Sequence, residues 1–201
     1  MGGISILLGV ALALLMSLPL VEWIRLKYFF ISIALMFLIG LRDDILALNP
    51  KQKLISQLLP VFIIVYLDGN VLTSFYGSAE GIVFYPLVCW VVTIVTLVIV
   101  TNAYNLIDGV DGLAGTIGLI GLLFFGYWFY TVGNIPMSLI SFCFAGSVLA
   151  FLYFNWQPSH IFMGDTGALL IGLLLTYLVV RFINENYHLP LDHPTADDNS
   201  H

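Results

Sequence analysis

Trp90-Val91-Val92-Thr93-Ile94-Val95-Thr96-Leu97-Val98-Ile99-Val100 is an apolar run that leads into Asn102-Ala103-Tyr104-Asn105-Leu106-Ile107-Asp108-Gly109-Val110-Asp111-Gly112. A membrane β-strand alternates apolar and polar residues with period two, and this run is too continuous for that. Its richness in β-branched residues argues mildly against helix. In lipid the requirement that every backbone polar group be bonded within the segment overrides that preference. The run therefore reads as a transmembrane helix that ends in a dense polar turn.

The rest of the chain follows the same plan. Of 201 residues, 60% are hydrophobic and only 9% charged, with a mean hydropathy of +1.02. A soluble domain carries about a quarter charged residues, so this is an integral membrane protein. Apolar stretches fall near 3–21, 28–41, 54–67, 82–101, 114–132, 135–154 and 166–183. The second and third need their flanks to reach the ~20 residues of a span. The expected fold is all-α, a polytopic transmembrane bundle of about seven helices. Residues 1–183 form its core, and 184–201 form a polar tail with the composition of a disordered segment. Cys89 and Cys143 lie in apolar runs and read as small buried residues, not a disulfide. Six scattered Lys and Arg form no basic patch, which argues against nucleic acid as a partner. The first apolar stretch lacks a positive leader region, so no cleavable signal is expected.

With seven spans the connections alternate sides. Loops 42–53, 102–113 and 155–165 then share one side, and 22–27, 68–81, 133–135 and the tail share the other. Arg42, Lys51 and Lys53 on the first side balance Arg25, Lys27 and Arg181 on the second, so positive charge does not orient the chain. The loop 68–81, with Asp68 and Glu80 but no base, leans outward.

Five of the twelve acidic residues sit in those first three loops: Asp43, Asp44, Asp108, Asp111 and Asp165. Carboxylates at the hydrocarbon boundary are costly and are kept for ions, protons or charged substrates. Acids without matching bases point to a divalent cation and phosphate chemistry. Asp43-Asp44 reads either as a solvated helix end with Arg42 or as a metal or phosphate site, with Lys51 and Lys53 as phosphate-binding charges. In the middle motif, Asn102 and Asn105, and again Asp108 and Asp111, are spaced to share a helical face. Gly109 and Gly112 admit a close ligand. Asp165 reads as a helix N-cap or a metal ligand, His160 as a polar interface residue, and Phe162 as an interface anchor or a stacking platform for a base.

Asp43-Asp44, then Lys53 and Gln57, then Asn-Ala-Tyr-Asn-Leu-Ile-Asp-Gly-Val-Asp-Gly-Leu-Ala from Asn102, then Phe-Met-Gly-Asp-Thr-Gly from Phe162, occur in that order. Together they resemble the polyprenyl-phosphate N-acetylhexosamine-1-phosphate transferases. That superfamily includes the undecaprenyl-phosphate GlcNAc-1-phosphate transferases and phospho-N-acetylmuramoyl-pentapeptide transferase. Met1-Gly2-Gly3-Ile4 resembles the start of the family's second helix, and the resemblance runs to about residue 183.

The resemblance implies transfer of a sugar 1-phosphate from a UDP-sugar to a membrane polyprenyl phosphate, with release of UMP. It implies Mg²⁺ on Asp165 with Asn105 as companion ligand. Asp43 and Asp44 attend the lipid phosphate, and with Asp108 they are the candidate catalytic carboxylates. Lys53 is a candidate phosphate contact. Asn102, Gly109, Val110, Asp111, Asn155 and Phe162 are the remaining substrate-binding candidates, with the Phe162 ring beside the uracil. The implied location is the plasma (inner) membrane with the active face cytoplasmic, and a homodimer is the assembly considered. Beside the family pattern, a first helix, a basic loop and a His-rich loop are expected to be missing, which reads as a fragment of a ten- or eleven-helix enzyme. His188 and His193 fall on the opposite side by parity, and Ala47 stands where some members carry a third acid. Three other readings stand beside this one: a CDP-alcohol-type phosphotransferase, which the absence of an Arg after Asp111-Gly112-Leu113-Ala114 opposes; an ion-coupled transporter; and a truncated, inactive remnant that still binds nucleotide.

Overall fold

A computed structural model describes residues 2–72, 85–156 and 161–187. The described residues form eight α-helices and no strand. They are α1 (Gly2–Ser17), α2 (Leu20–Arg25), α3 (Lys27–Leu46), α4 (Pro50–Phe62), α5 (Pro86–Ile107), α6 (Leu113–Thr131), α7 (Ile135–Asn155) and α8 (Gly164–Tyr187). The all-α expectation holds. The helix count rises by one because Leu20–Arg25, which covers the end of the first apolar stretch and most of the 22–27 connection, winds into a short helix with no buried residue.

Four helices are long and apolar enough to cross a membrane: α5, α6, α7 and Gly164–Asn186 of α8. Helix α1 is apolar but shorter. Helix α3 spans 20 residues, but Lys27, Arg42, Asp43 and Asp44 charge its two ends. Helix α4 contains Pro60 and continues as a π-helical turn over Ile63–Leu67. Proline removes a backbone donor, and the widened turn that follows is a known way for a helix to absorb such a break.

Helix α8 is the hub. It packs against α1, α3, α5 and α6, while α7 joins through α6 and α1. Residues 168–174 of α8 are buried throughout, as expected for the central helix of a bundle. The outer helices turn Leu8, Leu12, Val91, Val95, Ile99 and Ile120 outward. Lipid is as apolar as these side chains, so small residues rather than hydrophobic burial let such helices approach. Gly40 of α3 is the clearest case. A Cβ there would lie 2.6 Å from Thr166 Cα and 2.7 Å from the Asp165 carbonyl oxygen. The α3 and α8 backbones therefore meet one turn from the acidic motifs.

Helix α8 continues through Tyr187, past the point where the tail was expected to begin. The rest of that tail, with His188 and His193, and also Pro158, His160, Glu80 and most of loop 68–81, lie outside the described residues. Cys89 and Cys143 are free thiols.

Candidate active site

Asp43 lies in the last turn of helix α3. Its backbone carbonyl accepts the Ala47 N–H at 2.9 Å, and its Oδ1 accepts the Leu48 N–H at 2.7 Å. Ala47 turns into the left-handed region at φ 45°, and the chain reverses into α4. Asn49 opens α4, with its N–H donated to Gln52 Oε1 at 3.3 Å and Pro50 in the first turn. The helix thus begins three residues before Lys53, which places Lys53 on its first turn instead of at its start. From there the ammonium reaches inward. It lies 2.8 Å from Asp43 Oδ2, 2.5 Å from Asp165 Oδ1 and 3.2 Å from Asn105 Oδ1. Burial opposes the charge on Lys53, but hydrogen bonds to Asp165 and Asp43 outweigh it and hold the pKa above the ordinary lysine value.

The start of α8 is capped from elsewhere in the chain. Asp44 Oδ1 accepts the Asp165 N–H at 2.8 Å, and Oδ2 accepts the Thr166 N–H at 3.1 Å and the Thr166 hydroxyl. The Gly164 backbone amide also favours the charged form of the Asp108 carboxylate. The first amides of a helix lack intrahelical partners and carry partial positive charge, so carboxylates are favoured there. Of the two readings of Asp165, N-cap or metal ligand, the N-cap does not hold. The cap is Asp44, a residue of α3, and this frees the Asp165 side chain to face Lys53 and Asn105. Gly164 sits at φ +71°, and a Cβ there would come 2.8 Å from Asp44 Oδ2.

The middle motif contributes at the end of α5. Asn105 donates to Asp165 Oδ1 at 2.6 Å while its own oxygen faces Lys53. Asn102, one turn earlier, pairs with Gln57 of α4 at 2.6 and 3.4 Å and donates to the Val98 carbonyl at 2.8 Å. It ties α4 to α5 and does not join the Lys53 cluster. Asp108 is the C-cap residue of α5, and Asp111 lies in the turn that follows, so no helical face carries both. Burial pushes the Asp108 carboxyl up to about 6, opposed by the Gly164 hydrogen bond and aided by the charges of Asp165 and Asp44.

Asn155 reaches back to hold this turn. It accepts the Gly112 N–H at 2.9 Å and donates to the Ile161 carbonyl at 2.8 Å. Gly109 and Val110 stay exposed on the turn. The Phe162 ring is 68% exposed, while its carbonyl accepts the Gly2 N–H at 2.8 Å. The loop bearing Phe162 is thus fixed through its backbone, with the ring left free.

The three acidic segments do meet. Asp43, Lys53, Asn105 and Asp165 form one cluster, and Asp44 brackets it through the α8 amides. Among the described residues, no three His, Cys, Asp or Glu side chains are grouped to hold a metal. The Lys53 ammonium nevertheless marks a cation position among two carboxylates and the Asn105 amide oxygen. Hard oxygens in that number suit Mg²⁺, which binds through one or two carboxylates and completes its shell with water or substrate phosphate.

Comparison with known proteins gives the family. The sequence profile of glycosyl transferase family 4 matches residues 26–183. The chain belongs to glycosyl transferase family 4. All of α3 to α7 and most of α8 fall within the matched region. The chain is 34% identical over 161 residues to the phospho-N-acetylmuramoyl-pentapeptide-transferase of Streptococcus pneumoniae (strain Taiwan19F-14), covering 74% of this chain and 48% of that protein. It is 45% identical over 49 residues to the enzyme of that name from Clostridium perfringens (strain 13 / Type A), covering 24% and 16%. The chain spans about half the length of the Streptococcus relative. Sequence reasoning for this family member missed Thr166 and Gly40 as site builders. The Met163-Gly164-Asp165-Thr166 order contained the signal: a glycine and a hydroxyl flanking an acid at a helix start.

Proposed function

We propose that this chain carries the Mg²⁺-dependent core of a membrane transferase. It moves a sugar 1-phosphate from a UDP-sugar to polyprenyl phosphate and releases UMP, the first lipid-linked step of a cell-envelope polysaccharide. The observation that carries this reading is the Lys53–Asp165–Asn105–Asp43 cluster, built from the ends of four helices at one end of the bundle. An oxygen of the lipid phosphate attacks the sugar-bearing phosphorus, and the bond from that phosphorus to the bridging oxygen of UMP breaks. Asp165 and Asn105 would hold a divalent cation, which would supply charge neutralisation at the diphosphate. Asp43 and Lys53 position the phosphates, and Asp108 is the carboxylate available to keep the attacking phosphate ionised. Asp44 contributes by fixing the start of α8. The attacking group is already an anion, so positioning and electrostatics carry most of the barrier reduction.

The uridine is assigned to the turn and loop beside this cluster. Phe162 stacks on the base, Asp111 bonds its edge, and Gly109 and Val110 give close backbone approach. Asn155 shapes that pocket by holding Gly112 and Ile161, and Asn102 acts through Gln57 by holding α4 beside α5. The sugar is an N-acetylhexosamine. The Leu106-Ile107-Asp108-Gly109 wording favours GlcNAc, and the names of the relatives favour the muramoyl-pentapeptide sugar as the second reading. The protein lies in the plasma membrane with this end toward the cytoplasm. Reporters fused at residues 48 and 110 should then both report cytoplasm and one at 133 the outside; opposite sides for 48 and 110 would refute the shared face.

The decisive assay uses membranes holding this chain, polyprenyl phosphate and Mg²⁺, screened with labelled UDP-GlcNAc and UDP-muramoyl-pentapeptide. Lipid-linked product identifies the sugar. Folded protein that binds UMP but makes no product with either would support the non-catalytic remnant.

A further inference from the structure

We infer that Lys53 is a built-in counter-cation that competes with the divalent metal, and so couples metal entry to the arrival of the substrate diphosphate. The inference deepens the proposed function and rests on its metal centre. Asp165 Oδ1 already takes the Lys53 ammonium at 2.5 Å and the Asn105 amide at 2.6 Å. Asn105 Oδ1, the second proposed ligand, also faces Lys53, at 3.2 Å. A metal on those two oxygens and an ammonium on the same two cannot coexist without strong repulsion in a half-buried site.

The third partner provides the escape. Asp43 Oδ2 lies 2.8 Å from the ammonium, and its other oxygen is pinned by the Leu48 N–H at 2.7 Å. Lys53 can release Asp165 and Asn105 while it keeps Asp43. Its freed N–H donors then need acceptors, and a diphosphate provides them. Without nucleotide, metal binding leaves those donors unmet and is weak. With nucleotide, both cations have anionic partners. The lysine thereby also spares the metal-free site from three unopposed oxygens, two of them charged.

The test is a Mn²⁺ titration of the whole 201-residue chain in detergent, followed by electron paramagnetic resonance, with and without UDP. In Lys53→Met, metal affinity without UDP should tighten roughly 5- to 150-fold, the usual range for coupling between two sites. UDP should enhance Mn²⁺ binding less in this variant than in wild type, and thermal stability without metal should fall. Lys53→Arg, which keeps the charge, should bind Mn²⁺ no tighter than wild type; Lys53→Gln replaces the Met variant if that does not fold. Unchanged or weaker Mn²⁺ affinity in the neutral variant, with binding still lost in Asp165→Asn, would overturn this inference and leave the proposed metal centre standing. No saturable Mn²⁺ binding by wild type or by either neutral variant would overturn both.

Discussion

The two ends of the bundle bury charge in different ways. At the motif end Asp43, Asp44, Asp108 and Asp165 gather around the single ammonium of Lys53 and the amides of α8. At the other end each described acid has a partner of its own. Tyr177 donates to Asp68 at 3.0 Å, Arg181 donates to Tyr177 at 3.3 Å and lies 3.9 Å from Asp68. Asn134 donates to Glu185 at 2.7 Å, and Arg25 lies 3.8 Å from Glu22. Glu22, Arg25, Asn134, Arg181 and Glu185 line a cavity of about 300 Å³ there. Burial raises the Asp68 carboxyl, opposed by Arg181 and by the Tyr177 hydrogen bond. A matched network holds helices together. An acidic surplus is costly unless a further cation or its ligand arrives.

The sharpest test of that contrast is Asp165→Asn against Asp68→Asn. Asp165→Asn should remove most Mg²⁺-dependent turnover without unfolding the protein, because it deletes the proposed hard-oxygen ligand. Asp68→Asn should lower the melting temperature and keep the Mg²⁺ requirement. Turnover assays across a Mg²⁺ series, with melts in parallel, decide it; near wild-type activity for Asp165→Asn would abolish the contrast.

Phe162→Ala should weaken UMP and UDP-sugar alike by ~1–3 kcal/mol, roughly five- to a hundred-fold in affinity, since a stacking ring is lost. Lipid binding should not change. Equilibrium binding of UMP measures this, and an unchanged affinity would take Phe162 out of the uridine pocket.

Tyr177→Phe removes a buried hydroxyl that links Asp68 to Arg181. A loss of about 1–3 kcal/mol in stability is expected, the usual cost of unpairing a buried polar group. UMP binding should stay at the wild-type level; a loss of it would mean that the two ends are energetically joined.

The smallest effect concerns pH. The Asp108 carboxyl is raised to about 6 from an unfolded value near 3.8. The folded chain therefore holds that proton more readily than the unfolded one. Stability without metal should fall as pH rises from about 4 through 6, where the buried group must ionise. Asp108→Asn removes the titrating group and should flatten that fall. Melts in chelator at pH 5 and pH 7.5 should show the variant gaining on wild type at the higher pH; a constant difference would place Asp108 in water.

Much of this was legible in the chain. Continuous apolar runs leave helix as the structure that satisfies the backbone in lipid, so α5 to α8 followed from composition and length. Parity placed Asp43, Asn105 and Asp165 at one end, because alternating spans leave no other arrangement. Adjacent carboxylates without bases pointed to a cation, and the motif order pointed to the family. Only the tertiary structure decided which oxygen meets which donor. Whether Asp44 caps α8 or faces substrate depends on α3 and α8 touching at Gly40, a close backbone approach that the sequence records only as a missing side chain. Whether Asn102 and Asn105 act together depends on what α4 and α8 bring to each, and they were given different partners: Gln57 for one, Lys53 and Asp165 for the other. Periodicity assigns a residue to a face of its own helix. The partner across that face is set by the packing of other helices, and so by residues far away in the chain.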